Sequence, residues 1–319
     1  MNENSATAAV SPPVEVALSE DLAHGDALIG TIAPILRHLL ANDDHSLFSD
    51  EIVARVRGMM HDVARQLLDA LSAAAGQPDI REHPAESYDV VVNGFIADQG
   101  FLTHTHALAL EWQLTERLQG RLALDPVLSP LLQALIASTE GATSATAMAL
   151  LAAQARFGQN QRRMQLPLAE LPADLLHTAL KALRLHEGAE EVHRVSAETA
   201  IRVQYDESRS RLGLIERLII GMGGGASAAL SITHAGAAMF LSALSLASGQ
   251  NRDTAVLSTN EGQLARLALA LRASGLKSQA VEEQFLSLHP DVSLPDGFEM
   301  LGADRAAALL ARSTAYPGG

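Results

Sequence analysis

Apolar residues recur along this chain at spacings of three and four, which divides most of it into helices. Ile29, Ile32, Ile35, Leu36, Leu39 and Leu40 form one such face around Pro34 and predict a helix ending near Asn42. Ser49 or Asp50 can cap the next. It carries Ile52, Val56, Met59, Met60, Val63, Leu67 and Leu71 in helical register until Gly76-Gln77-Pro78 stops it. Residues 88–101 are the one place where a strand competes, because Val90-Val91-Val92 is β-branched and Gly94 and Gly100 weaken a helix. The segment is read as helix. Thr103 caps a further helix through Trp112 to Gly120, Asp125-Pro126 opens a short one, and residues 143–163 make another.

Pro167 and Pro172 then bracket a short segment and turn the residues before them away from helix, which predicts a boundary. The expected organisation is an N-terminal tail over residues 1–22, a helical subdomain over 23–166 and a second over 167–319. The second contains helices over 172–184, 189–205, 212–220, 253–257, 261–274, 279–288 and 303–312. Its centre is an apolar helix over 226–248, inside a stretch, 218–251, that has no Asp, Glu, Lys or Arg. That stretch is long enough to raise a membrane span, but its many Ser, Gly and Ala residues leave few large apolar side chains to drive insertion. It is read instead as a helix buried on all sides, or as the seam of a homodimer.

Composition supports an all-α fold, and the expected arrangement is helical hairpins in two subdomains, as one extended array or packed as a bundle. Of the residues, 48% are hydrophobic but only 3% aromatic, so Ala and Leu dominate. Residues 176–184 and 264–272 both end in Ala-Leu-Arg, a hint of a helical repeat. The net charge of −14 argues against nucleic acid as a partner, since that affinity comes from Lys and Arg releasing counterions. The absence of cysteine removes disulfides, thiolate metal sites and thiol nucleophiles. The first residues have neither a basic start nor an apolar core, so no secretory signal is read and a cytoplasmic location is expected.

Few residues suggest chemistry. Gly221-Met222-Gly223-Gly224-Gly225 resembles a phosphate-cradling turn, yet the acidic ribose ligand and the Gly-Lys-Ser/Thr of the nucleotide motifs are both missing. It is read as a turn between helices. The histidines of Thr103-His104-Thr105-His106 are expected to cap a helix start or face solvent. Asp174 with His177, and Glu190 with His193, each place a carboxylate and an imidazole three apart on one helical face. Two such helices could bind metal in a bundle, given glutamates from two others. Arg202, Tyr205, Arg209 and Arg211 form the densest basic, hydrogen-bonding patch and are the candidate interaction surface.

Residues 257–276, with Glu282-Glu283-Gln284-Phe285 and Leu288-His289-Pro290 beyond them, resemble the closing helices of an uncharacterised family of bacterial, alphaproteobacterial helical proteins, a domain of unknown function. Leu47-Phe48-Ser49-Asp50-Glu51 is similar in character. The resemblance implies HEAT-like hairpins and no activity. The expected function is a non-enzymatic interaction module, an adaptor or regulatory scaffold that needs no cofactor and binds a protein partner or a second copy. The alternative is a metal-binding helical enzyme or sensor using Asp174, His177, Glu190 and His193.

Overall fold

A computed structural model describes residues 14–41, 50–77, 82–186 and 188–313. Among the described residues the chain forms α-helices and short 3-10 turns and no strand, so the fold is all-α. In order, the helices are α1 (Val14–Ala41), α2 (Asp50–Ala74), α3 (Ala85–Ala97), α4 (Gln99–Leu122), α5 (Pro130–Ile136), α6 (Gly141–Arg162) and α7 (Ala173–Arg184). They continue with α8 (Glu191–Gln204), α9 (Arg211–Gly221), α10 (Ile232–Ser248), α11 (Arg252–Leu257), α12 (Leu264–Ala273), α13 (Ser278–Leu288) and α14 (Ala303–Leu310).

The chain divides into two compact units, one of residues 30–257 and one of residues 1–29 with 258–319. In the larger unit α2 is the central helix, packed against α3, α4, α7 and α8. Its Val56, Met59, Met60, Val63 and Leu67 have no exposed surface. They share one core with Phe95 and Phe101 and with Leu166, Leu171, Leu175 and Leu176. Residues 165–172, the expected boundary, therefore lie inside this unit, with Leu171 fully buried. The helices surround α2 instead of stacking only on neighbours in chain order, as a solenoid would.

Helical period resolves the strand question at residues 88–101. Val91, Val92, Phe95 and Ile96 face the core from α3. Gly94 is small for a packing reason, since a Cβ there would meet the Ala182 Cβ of α7 at 2.8 Å. The helix breaks at Asp98, whose side chain accepts from the Phe101 backbone N–H at 2.8 Å and caps α4. Thr103 is thus inside α4 and is not its cap.

In the smaller unit, α12 packs against α13 and α14. Arg266, 3% exposed, pairs with Asp26, and Gln263 Nε2 donates to the Gly25 carbonyl at 2.6 Å. Leu18 and Leu22 are buried in helix, so residues 14–22 are not a tail. Residues 1–13, and the Ser49 cap, lie outside the described residues.

The apolar central helix starts later than its composition predicts. Residues 223–230 form a 3-10 segment, α10 begins at Ile232, and the two are bent by 110°. Gly236 interrupts α10 at φ 71°, a conformation that favours glycine, and a Cβ there would also press on Ser129 at 3.1 Å. Ala237 to Leu244 are buried, so this stretch of α10 is core and offers no seam to a second copy. No single helix among the described residues is long and apolar enough to cross a membrane; only the bent pair 223–230 with 232–248 passes by length and composition.

Candidate functional site

Ser210 ends a 3-10 turn, Glu207–Arg209, and caps α9 by accepting from the Gly213 N–H at 3.1 Å. Arg211 is then the first residue of α9, an unfavourable place for a cation beside the positive end of the helix dipole. Its surroundings compensate. The guanidinium enters the core and pairs with both oxygens of Glu111 on α4, at 2.6 and 2.9 Å, while lying 3.7 Å from the Phe157 ring centroid. Its backbone N–H donates to Glu170 at 2.8 Å.

Arg252 on α11 completes the cluster. Its Nη2 lies 3.0 Å from the same Glu111 oxygen, and its Nε donates to Ser242 Oγ at 2.9 Å. Burial opposes ionisation of Glu111, but the charges of the two guanidiniums and the hydrogen bonds from Arg211 outweigh it and hold the carboxyl at about 2. Burial also pulls Arg252 below its ordinary range, against the attraction of Glu111.

Asp253, next in sequence, sits beside His104 of α4, whose Nδ1 lies 3.1 Å from each carboxylate oxygen. His104 and His106 are therefore not solvated caps; His104 is 2% exposed, inside α4. Burial pushes His106 down to about 4, with Asp253 opposing. His104 Nε2 and His106 Nδ1 are enclosed without a hydrogen-bond partner among the described residues. Through these contacts the cluster ties α4, α9, α10 and α11 together.

On the outer side of this tie, α9 and α10 form the walls of a cleft of about 950 Å³. Leu212, Ile220 and Leu246 line its apolar part, with Ile220 65% and Leu246 42% exposed. Glu170, Asp206, Glu207 and Glu216 line it with carboxylates. Ser208 donates to Asp206 and holds that carboxyl below its usual range. Arg217 and Arg252 also line the cleft, the Arg217 guanidinium donating to the Ser208 carbonyl at 2.6 Å. Gly221 carries no side chain at the cleft's edge, and a Cβ there would meet nothing within 4 Å.

The basic patch expected at 202–211 is split. Arg211 is buried, 2% exposed, and is removed from the candidate surface because the Glu111 pair takes it into the core. Tyr205 is half-buried and donates to the Leu171 carbonyl at 2.8 Å. Burial, with the carboxylates of Glu207, Asp174 and Asp206, raises its hydroxyl to about 12. Arg202 and Arg209 are exposed, on α8 and on the turn after it.

Asp174 and His177 lie on α7, whereas Glu190 immediately precedes α8, without a side-chain bond to it, and His193 lies in its first turn. Among the described residues no three His, Asp or Glu side chains gather as a metal-holding group, these four included. Sequence reasoning missed Glu111, Arg252 and Asp253 altogether. The available signal was a charged residue inside an otherwise apolar helical face, as Glu111 is among Ala107, Leu108, Leu114 and Leu118.

Fold and site define an all-α protein with a buried ionic tie and an acidic, partly apolar cleft. No family model matches the chain, and no characterised protein or solved structure matches it. The likeness of residues 257–290 to alphaproteobacterial helical proteins accordingly assigns it to no family.

Proposed function

We propose that this protein is a non-enzymatic interaction module, an adaptor or scaffold, whose α9–α10 cleft receives a helical segment of a partner protein. The observation that carries the reading is the cleft itself, where exposed Ile220 and Leu246 lie among four carboxylates and two arginines, an acidic excess of two. An amphipathic helix presents an apolar stripe to such a groove, and basic residues beside that stripe suit a carboxylate rim. The buried tie supports the same reading from behind, because a rigid wall lowers the ordering cost of binding.

The test is fluorescence-anisotropy titration with basic amphipathic helical peptides and with acidic counterparts of the same apolar pattern. The basic peptides bind, more weakly as salt rises, and Ile220→Glu abolishes binding while the thermal transition is retained. Equal binding of acidic and basic peptides, or full binding by Ile220→Glu, overturns the proposal.

A further inference from the structure

The outer face of α8 is built backwards for a surface helix. Ala197 is buried and Ile201 packs against the core, which fixes the inward direction. On the opposite side Val192, Val195 and Val203 are 64, 54 and 80% exposed. With Thr199 they fall within about 80° of arc and make one apolar stripe along the whole helix. A single exposed valine needs no explanation, but a continuous stripe of them does.

We infer that this stripe is the contact between two copies of the chain, packed α8 against α8 in antiparallel orientation. The charges beside the stripe name the occupant. Glu191 and Arg202 are eleven residues apart, three helical turns, and so lie on the same flank of the stripe, one at each end. Glu191 uses one carboxylate oxygen on Arg194. Arg202 makes no ion pair among the described residues. In an antiparallel pair the same flanks of the two helices meet. Glu191 of each copy then faces Arg202 of the other, twice over, with Val192 over Val203 between them. In a parallel pair opposite flanks meet, so Glu191 and Arg202 would face the flank of the other copy that carries His193 and Ala200 and would find no complementary charge there; the charges therefore select the antiparallel arrangement. The helix dipoles, opposed in this arrangement, favour it as well.

A pair of helices only 14 residues long buries less than the roughly 1,000 Å² of a firm interface, so the dimer dissociates on dilution. Sedimentation velocity of the full chain from about 1 to 200 µM reads the equilibrium, with dimer expected at the upper end. Val195→Glu is expected to leave monomer throughout, with an unchanged far-UV spectrum and melting transition.

The decisive arm mixes two charge variants. Glu191→Arg alone and Arg202→Glu alone each weaken self-association about five- to tenfold, since each sets like charges together. Mixed, they pair with each other, because Arg at 191 of one copy meets Glu at 202 of the other while the native pair is kept on the far side. Monomer at 200 µM, a dimer indifferent to Val195→Glu, or a mixture no stronger than its components overturns the inference.

Discussion

The outer face of α8 and the interior around α10 exchange the roles that their compositions suggest. Residues 191–204 are polar on average yet turn three valines outward, whereas the uncharged stretch 218–251 folds over a cluster of two arginines and a glutamate. Mean hydropathy describes an element, but burial is set by what packs against each face. α10 is enclosed by α4, α5, α9 and α11, and α8 has the body of the protein on one side only. Apolar content around α10 accordingly serves the core. The smaller apolar content of α8 is left over for contact with something else.

The largest test of this contrast is Arg211→Met. Removing one partner from a buried ion pair leaves Glu111 with Arg252 alone, a loss of about 3–5 kcal/mol of unfolding free energy. Urea denaturation at low micromolar concentration measures it. Substituting Glu111, Arg211 and Arg252 together by apolar residues of similar volume should recover most of that loss, because the desolvation cost disappears with the charges. A loss under about 1 kcal/mol for Arg211→Met would mean that the interior does not depend on its ions, and the contrast with α8 would fail.

That cluster also bounds what could be read from the chain alone. The all-α class and most helices were legible because a 3.6-residue period is a local property, repeated many times over. The break at Asp98 and the late start of α10 were less so. Asp98 caps through a side chain that suits turns and loops as well, and the kink inside α10 rests on the positive φ of Gly236, packed beside Ser129. The ionic tie was not legible, since Arg211 reaches Glu111 across 100 positions and His104 reaches Asp253 across 149. The cleft is assembled from segments between Glu170 and Arg252, so no short motif marks it. Arg211 itself was visible but misplaced, because neighbours in sequence, Arg209 and Arg211, point to opposite environments across the Ser210 cap.

Acid titration gives the next largest effect. His106 titrates at about 4 in the folded protein against 6.5 when unfolded, so between those values the unfolded chain binds the extra proton. Its contribution is complete above pH 6.5 and is lost as pH falls through that window, up to about 3 kcal/mol. Glu111 acts lower down. Its carboxyl is held at about 2 against an ordinary 4.5, so its stabilisation is present above 4.5 and disappears as pH falls toward 2. Urea midpoints at fixed ionic strength should decline in these two stages, and His106→Leu should flatten the first without touching the second. Burial lowers His61 and His186 as well, so a decline that survived His106→Leu unchanged would place its cause at those histidines, outside the α4 interior.

The smallest effect is the most direct comparison, because the chemistry is the same at both sites. Val256 on α11 has no exposed surface, and Val203 on α8 is 80% exposed. Val256→Ala deletes two buried methyl groups and leaves a cavity, costing about 2 kcal/mol or somewhat more. Val203→Ala removes side chain that water already covers and changes monomer stability by less than about 0.5 kcal/mol, with alanine's better helix propensity acting in its favour. Both are read by urea unfolding at the lowest protein concentration that gives signal, so that association adds nothing. Repeating Val203→Ala at high concentration then separates the two roles of an exposed valine. If α8 pairs as inferred, the wild type gains stability with concentration by mass action and the variant gains less. A Val203→Ala loss as large as that of Val256→Ala in the dilute monomer would mean that the outer face of α8 is already covered by its own chain.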